Sequence, residues 1–385
     1  MKMRWEARGD DIGGDRTPSC QTPTVRPRVA AVVESCWHRV PGGTATSTVR
    51  SLAAVRARGA HDIVGLAARH SGPPVLDELA DLPVEHLRLP RAALYEAWHR
   101  FRRPPVPRRV GRVDVIHATG GVIPPRSAPL VVTIHDLAFL HRPEHFTAQG
   151  VRFMTRAFEL AQAEADVIVV PSETTAADCR SHGIDQGRLR TVPWGATRVE
   201  LGEKDRVRVR ARYDLPDCFV LFLGTHEPRK NLAALLEAHR SAAPDLPLII
   251  AGPDGWGESV RTDSGAAVRA IGRVPAEDLA ALYDAATALA YPSLLEGFGL
   301  PVLEAMAQGT AAITSATTST AEVAGDTGVL VDPTDLSALG AALESVASDP
   351  DAWVERGRRA SQRAALFTWA ATGAALGAVY DEVAA

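Results

Sequence analysis

No apolar run in this 385-residue chain approaches the ~20 residues of a membrane-spanning helix, and its first residues lack an apolar signal core. Cysteine is scarce. Cys20, Cys36, Cys179 and Cys218 are scattered without a CxxC pair, which supports neither a disulfide framework nor a zinc site. Neither sign of charge dominates: 42 Lys+Arg against 46 Asp+Glu leave a net −4, so no global field draws the chain to nucleic acid or an anionic surface. A full GxGxxG dinucleotide fingerprint is missing, as is any short internal repeat. What is present is a globular composition, 46% hydrophobic and 23% charged, on a chain long enough for two domains or a little more. A cytosolic, thiol-reduced protein is the expectation.

Residues 1–25 are polar and aperiodic and read as a disordered extension. From Arg28 short apolar runs alternate with helical segments. Strands are expected at Val29–Val33, Asp62–Leu66, Val84–Leu89, Val113–His117, Leu130–Ile134, Val167–Val170 and Leu189–Val192, with a helix over Gly150–Ala165. Such alternation predicts an α/β fold with a parallel, doubly wound sheet. Val40-Pro41-Gly42-Gly43-Thr44 follows the first strand, with Thr44 placed to cap a helix. A tight turn is the plain reading of Gly42 and Gly43; close approach of a ligand to the backbone is the sharper one. Thr133-Ile134-His135-Asp136-Leu137 ends a strand, on the side where open α/β sheets bind ligands. His117, at the end of the preceding strand, is a weaker candidate. Arg100, Arg102, Arg103, Arg108, Arg109 and Arg112, interrupted by prolines, read first as a solvated linker. The sharper reading is a docking surface for an anionic membrane or a phosphorylated acceptor.

The first domain is expected to end near Val192-Pro193-Trp194-Gly195-Ala196, and a charged linker and helix follow from Glu200 to Arg212. The second domain opens with a buried strand, Phe219 to Thr225, through Gly224. It runs into His226-Glu227-Pro228-Arg229-Lys230-Asn231, with Asn231 placed to cap the next helix. Two cations at a helix start beyond a parallel strand suit a diphosphate, Arg as a planar fork and Lys as a point charge. Leu248–Ala251 then leads to Gly252-Pro253-Asp254-Gly255, and Val268–Ile271 to Gly272-Arg273-Val274-Pro275. The stretch that organises the chain is Tyr291-Pro292-Ser293-Leu294-Leu295-Glu296-Gly297-Phe298-Gly299-Leu300-Pro301-Val302-Leu303-Glu304-Ala305-Met306-Ala307-Gln308-Gly309. It predicts a loop and a short helix with Pro301 at its start and Gly309 past its end. Glu304 lies beside the apolar stripe, where a carboxylate is costly unless bound. Glu296 lies on the loop, and the amides of Phe298, Gly299 and Leu300 suit an anion.

That stretch resembles the Glu-x7-Glu signature of glycosyltransferase family 4 (glycosyltransferase group 1), retaining enzymes of the GT-B type. Glu-Pro-Arg-Lys-Asn and His-Asp-Leu are similar to further motifs of that family, in forms nearest bacterial mannosyltransferase-like members that build polysaccharides. The resemblance covers roughly residues 27–385 and is strongest from 219 to 335. It implies two Rossmann-like domains facing across a cleft: an acceptor domain over 26–195, a nucleotide-sugar donor domain over 196–365, and a crossover helix over 366–385. It implies that His135, Arg229, Lys230 and Glu296 are catalytic, with Glu304 on the ribose. Gly42, Gly43, Gly224, Val274, Phe298, Gly299 and Leu300 would bind the donor. Asp136 would orient the His135 ring or touch an acceptor hydroxyl. Trp194 departs from the small polar residue usual before that glycine.

The expected activity is transfer of a hexose from a nucleotide diphosphate sugar to a carbohydrate or lipid-linked acceptor, with retention. No cofactor beyond the co-substrate and no metal is expected. The one Asp-x-Asp triplet, Asp349-Pro350-Asp351, reads as a turn or helix cap. A GT-B sugar phosphorylase would instead cleave a disaccharide with inorganic phosphate, and a silent scaffold would bind nucleotide without turnover.

Overall fold

A computed structural model describes residues 26–38, 42–107, 110–253 and 267–385. The expectations for 1–25, Val40-Pro41, Arg108, Arg109 and Asp254-Gly255 lie outside those residues.

Among the described residues two wholly parallel sheets form. The first has seven strands: β1 (Arg28–Val32), β2 (Asp62–Arg69), β3 (Val84–Pro90), β4 (Val115–Ala118), β5 (Leu130–Thr133), β6 (Val167–Val170) and β7 (Leu189–Thr191). Its order is β3-β2-β1-β4-β5-β6-β7. The second has six: β8 (Val220–Leu223), β9 (Leu248–Ala251), β10 (Val268–Gly272), β11 (Ala288–Tyr291), β12 (Ala311–Ser315) and β13 (Val329–Val331). Its order is β10-β9-β8-β11-β12-β13. In both, the order reverses about the first strand, so ligand crevices open where β1 meets β4 and β8 meets β11. β4, β5 and β6 are buried throughout their length, which is why they appear in the sequence as unbroken apolar runs.

The first sheet is connected by α1 (Gly42–Ala57), α2 (Arg91–Glu96), α3 (Ala138–His141), α4 (Ala148–Glu164) and α5 (Glu173–Ser181). α6 (Glu203–Arg212), α7 (Leu232–Ala242), α8 (Ala276–Ala285), α9 (Leu300–Gln308), α10 (Ser319–Ala324), α11 (Leu336–Ser348) and α12 (Pro350–Ala364) serve the second. α13 (Trp369–Ala384) returns to pack on α1, where a Cβ on Gly373 would sit 2.8 Å from Ala54. The return passes so close to the linker that a Cβ on Gly195 would lie 2.2 Å from the Trp369 nitrogen.

Four local expectations are corrected. α1 begins at Gly42, so Thr44 lies inside its first turn instead of capping it. Asn231 stands at the start of α7 with φ +59°, but its side chain donates to the Pro333 carbonyl (2.7 Å) and caps nothing. Arg102 is no part of a solvated linker. Its guanidinium donates to the carbonyls of Trp98, Ile123 and Pro124 and pairs with Glu164. Arg100, Arg103 and Arg112 are exposed. His117 has both ring nitrogens taken: it is buried between the hydroxyls of Tyr380 (2.7 Å) and Thr133 (2.8 Å), tying α13 to the first sheet. Asp349 does cap α12, accepting from the Ala352 amide at 3.0 Å.

Burial pushes the His117 pKa down to about 3. The unfolded chain therefore binds a proton that the native state refuses between about pH 6.5 and pH 3, and stability falls as pH drops through that window. Urea unfolding should show a loss of about 2 kcal/mol from this residue between pH 6.5 and pH 5, at ~1.4 kcal/mol per unit. His117→Gln should flatten that slope by about one proton; an unchanged slope would contradict the assignment.

Candidate active site

The stretch 291–309 folds as its punctuation predicts. β11 ends at Tyr291, and Gly299 takes φ +98° at the start of α9. Pro301 occupies the first turn, and Gly309, also at +98°, follows the end. The first turn of any helix leaves amides without intrahelical acceptors, here those after Gly297.

Over this turn lies a buried ionic cluster. Arg229 and Lys230 sit in the short 3₁₀ turn between β8 and α7. The Lys230 ammonium donates to the Glu296 carboxylate and to the Tyr291 hydroxyl, and its Nζ lies 4.7 Å from the Tyr291 ring centre. Arg229 donates through Nη1 to Glu296 (3.3 Å) and through Nε to Glu227 (2.9 Å). The Arg229 carbonyl accepts from the Leu294 amide at 2.8 Å, which fixes the Glu296 loop against the cationic turn. Burial works against ionisation of Glu296, yet Lys230 and Arg229 hold its carboxyl below the ordinary range. Burial likewise pulls Lys230 down while Glu296 opposes it. For Arg229 burial is outweighed by Glu296, Asp136 and Glu227, which raise its pKa. The carboxylates of Glu296, Glu227 and Asp136 offset the two cations. The pull on an incoming anion therefore comes from directed hydrogen bonds and the α9 amides, with little from net charge.

Glu304, one turn into α9, accepts from the Tyr283 hydroxyl at 3.2 Å. Burial, only partly offset by Arg50 and that hydroxyl, keeps its carboxyl above the usual value. Such a group gains from a ligand that donates hydrogen bonds.

The first sheet supplies the facing wall. His135 follows β5; its Nε2 lies 2.7 Å from the Thr119 carbonyl, which can only accept, so Nε2 carries the proton. Burial lowers the His135 pKa and the Thr119 carbonyl opposes this, leaving a neutral ring whose Nδ1 is an acceptor without a protein partner. Asp136 does not orient that ring. It accepts from the Ala138 amide (3.0 Å) at the start of α3, and its charge acts on Arg229 across the cleft.

The two walls meet at Gly297. A Cβ there would fall 1.7 Å from the His135 carbonyl oxygen, and the Gly297 carbonyl accepts from Ser172 (2.7 Å) and Thr175 (3.1 Å). Trp194 packs between His135 (5.2 Å) and Phe298 (5.3 Å). At the start of α1, a Cβ on Gly43 would lie 3.6 Å from Leu300, so the openings of α1 and α9 adjoin. Gly224 lies 3.9 Å from the Lys230 stem by the same measure, and Val274 packs on the second core beyond β10. Glu322 accepts from the Glu173 and Thr174 amides (3.0 and 2.6 Å), capping α5 from the other domain.

The structure thus brings His135, Asp136, Arg229, Lys230, Glu296, Phe298 and the Gly43–Leu300 contact together. Tyr291, Glu227, Trp194 and Glu322 were not assigned roles from sequence. Glu227 and Tyr291 adjoin the motifs and could have been suspected. Nothing local gives the contacts of Trp194 with Phe298 or of Glu322 with the start of α5, which join segments more than a hundred residues apart.

A family model described as "Glycosyl transferases group 1" matches residues 204–366, and one described as "Glycosyltransferase Family 4" matches residues 41–197. O-antigen chain mannosyltransferase B of Escherichia coli is 32% identical over 270 residues, covering 66% of this chain and 71% of that protein. D-inositol 3-phosphate glycosyltransferase of Corynebacterium efficiens is 30% identical over 279 residues, covering 66% of each. Among solved structures, Anabaena HepE in complex with UDP and glucose superposes with a TM-score of 0.73 at 18% identity, covering 93% of this chain and 100% of that one. WaaG, a glycosyltransferase involved in lipopolysaccharide biosynthesis, gives 0.69 at 20% identity over 92% and 99%. With its two parallel sheets meeting at this cleft, the chain belongs to glycosyltransferase family 4 and is a glycosyltransferase of GT-B architecture.

Proposed function

We propose that this glycosyltransferase moves a hexose, with mannose the first candidate, from a nucleotide diphosphate to an acceptor hydroxyl with retention of the anomeric configuration. The observation that carries the reading is Glu296, held ionised between Lys230 and Arg229 at the opening of α9 and facing His135. The departing diphosphate would take hydrogen bonds from Arg229, Lys230 and the α9 amides as its charge grows, which is where electrostatic catalysis acts. Glu304 would accept from the ribose hydroxyls. Glu296 and the bare Nδ1 of His135 would accept from the sugar's hydroxyls and fix its orientation. With cations and helix amides meeting the diphosphate, a metal is not required, and turnover should persist in EDTA. The mannosyltransferase named above supports the sugar class, and a cytoplasmic setting with peripheral contact through exposed Arg100, Arg103 and Phe101 (63% exposed) fits a polysaccharide role.

A thermal-shift screen of nucleotide sugars, followed by NMR of the product's anomeric proton, tests this. One nucleotide sugar should raise the melting temperature and yield a product of unchanged configuration. Inversion, or phosphate-dependent cleavage of a disaccharide, would overturn it. Glu304→Gln should weaken nucleotide binding roughly 10- to 100-fold, about 1.4–2.7 kcal/mol, with the melting temperature nearly kept. A collapsed melting temperature with unchanged affinity would make Glu304 structural.

A further inference from the structure

Beside the donor site the first domain holds a partly open pocket of about 530 Å³. That volume falls in the range of small-molecule sites, and the lining decides what it takes. His135 and Asp136 line it, which places its contents against the reacting sugar. Its character changes with the element that contributes. The segments after β1 and β5 bring polar groups, including Glu34, Ser35 and His135. The Ser35 hydroxyl and His135 Nδ1 are buried without protein partners. Glu34 is buried and fully engaged by the Ala68 amide, His70 (3.0 Å) and Tyr95 (3.0 Å), so it holds the Tyr95 hydroxyl in place. α3, α4 and the segment joining them bring an apolar lining: Phe139, Phe146, Phe153, Met154, Phe158 and Ala161. Phe153 and Ala157, and Met154 and Phe158, repeat at four-residue spacing and so form one stripe of α4. Phe153 is itself braced, stacked on His99 (4.5 Å) and Tyr95 (5.5 Å). Gly121 makes room for this stripe, since a Cβ there would lie 2.8 Å from the Met154 sulfur.

A bare sugar would find few partners for its hydroxyls along such a wall, and unpaired hydroxyls are costly to bury. We infer that the pocket receives an apolar chain carried by the acceptor, so that the acceptor is an amphipathic glycoside: hydroxyls toward Ser35 and Asp136, hydrocarbon along α4. This names the acceptor class for the transfer proposed above and rests on that reading.

The test is calorimetric binding of methyl, butyl, hexyl and octyl glucosides below their micelle concentrations, with donor binding measured by thermal shift on the same samples. Affinity should rise roughly two- to fourfold per added methylene in the wild-type protein. Phe158→Glu, or Met154→Glu should the first variant not fold, should abolish that rise. Val354→Glu, an exposed apolar position on α12 far from the cavity in the chain, should retain it. Equal binding of methyl and octyl glucosides, or identical behaviour of the cavity variants and Val354→Glu, would overturn the inference. If chain length has no effect while donor binding is intact, only this inference falls; if no nucleotide sugar binds, the function proposed above falls with it.

Discussion

Lys230→Ala should lower kcat/KM by roughly a thousandfold, about 4 kcal/mol of transition-state stabilisation, as loss of one well-placed donor to a developing anion typically does. The variant should also lose stability, because the ammonium is buried against Glu296 and Tyr291. Removing one member of a buried pair strands the other charge, at a cost of ~3–5 kcal/mol. The two effects separate in a double variant. Lys230→Ala with Glu296→Ala should recover much of the melting temperature, since no unpaired charge remains, while activity stays as low as in the single variant. If activity returned together with stability, the pair would be structural and the diphosphate would bind elsewhere.

The second large effect concerns Gly297→Ala. Gly297 does not take a left-handed backbone conformation, so alanine is locally tolerable there. The obstacle lies across the cleft: the new methyl would meet the His135 carbonyl oxygen at 1.7 Å and its carbon at 2.7 Å. The methyl is therefore a wedge between the domains, pushing the Glu296 loop away from His135 by more than an ångström. A misplacement of that size costs on the order of a hundredfold in rate when reacting groups must be aligned. kcat/KM should fall by about that factor, with nucleotide affinity and the melting temperature much less affected. Thr175→Ala, which removes a hydroxyl bonded to the Gly297 carbonyl without placing anything between the walls, should cost tenfold or less, about 1.4 kcal/mol. Wild-type rates in Gly297→Ala would mean that the walls do not need this contact.

The parallel sheets were legible because their strands are buried on both faces and appear in the chain as short runs of Val, Ile, Leu and Ala between helical segments. Most observed strands begin or end within two residues of those runs. The cationic turn and the Glu296–Gly309 stretch were legible for another reason: each carries its own punctuation of proline, glycine and charge. The misread residues share one property, a choice among partners that local sequence does not specify. Asn231 had a helix to cap and took the Pro333 carbonyl instead. Asp136 had a histidine beside it and took a backbone amide. Arg102 stood in a run of exposed arginines, yet folds inward onto three carbonyls and Glu164. Contacts between domains were invisible for the same reason. Trp194 against Phe298, and Glu322 on the start of α5, join segments that only the completed fold brings together.

The central claim is that a nucleotide diphosphate sugar lies between the Arg229–Lys230 turn and the opening of α9, with its sugar toward His135. A crystal structure of the protein soaked with the nucleotide sugar that most raises its melting temperature tests this directly. The account predicts diphosphate oxygens ~3 Å from the Arg229 and Lys230 side chains and from amides among Phe298–Leu300, with the ribose on Glu304. A donor bound elsewhere, leaving the Lys230–Glu296 contact untouched and Glu304 unoccupied, would contradict it.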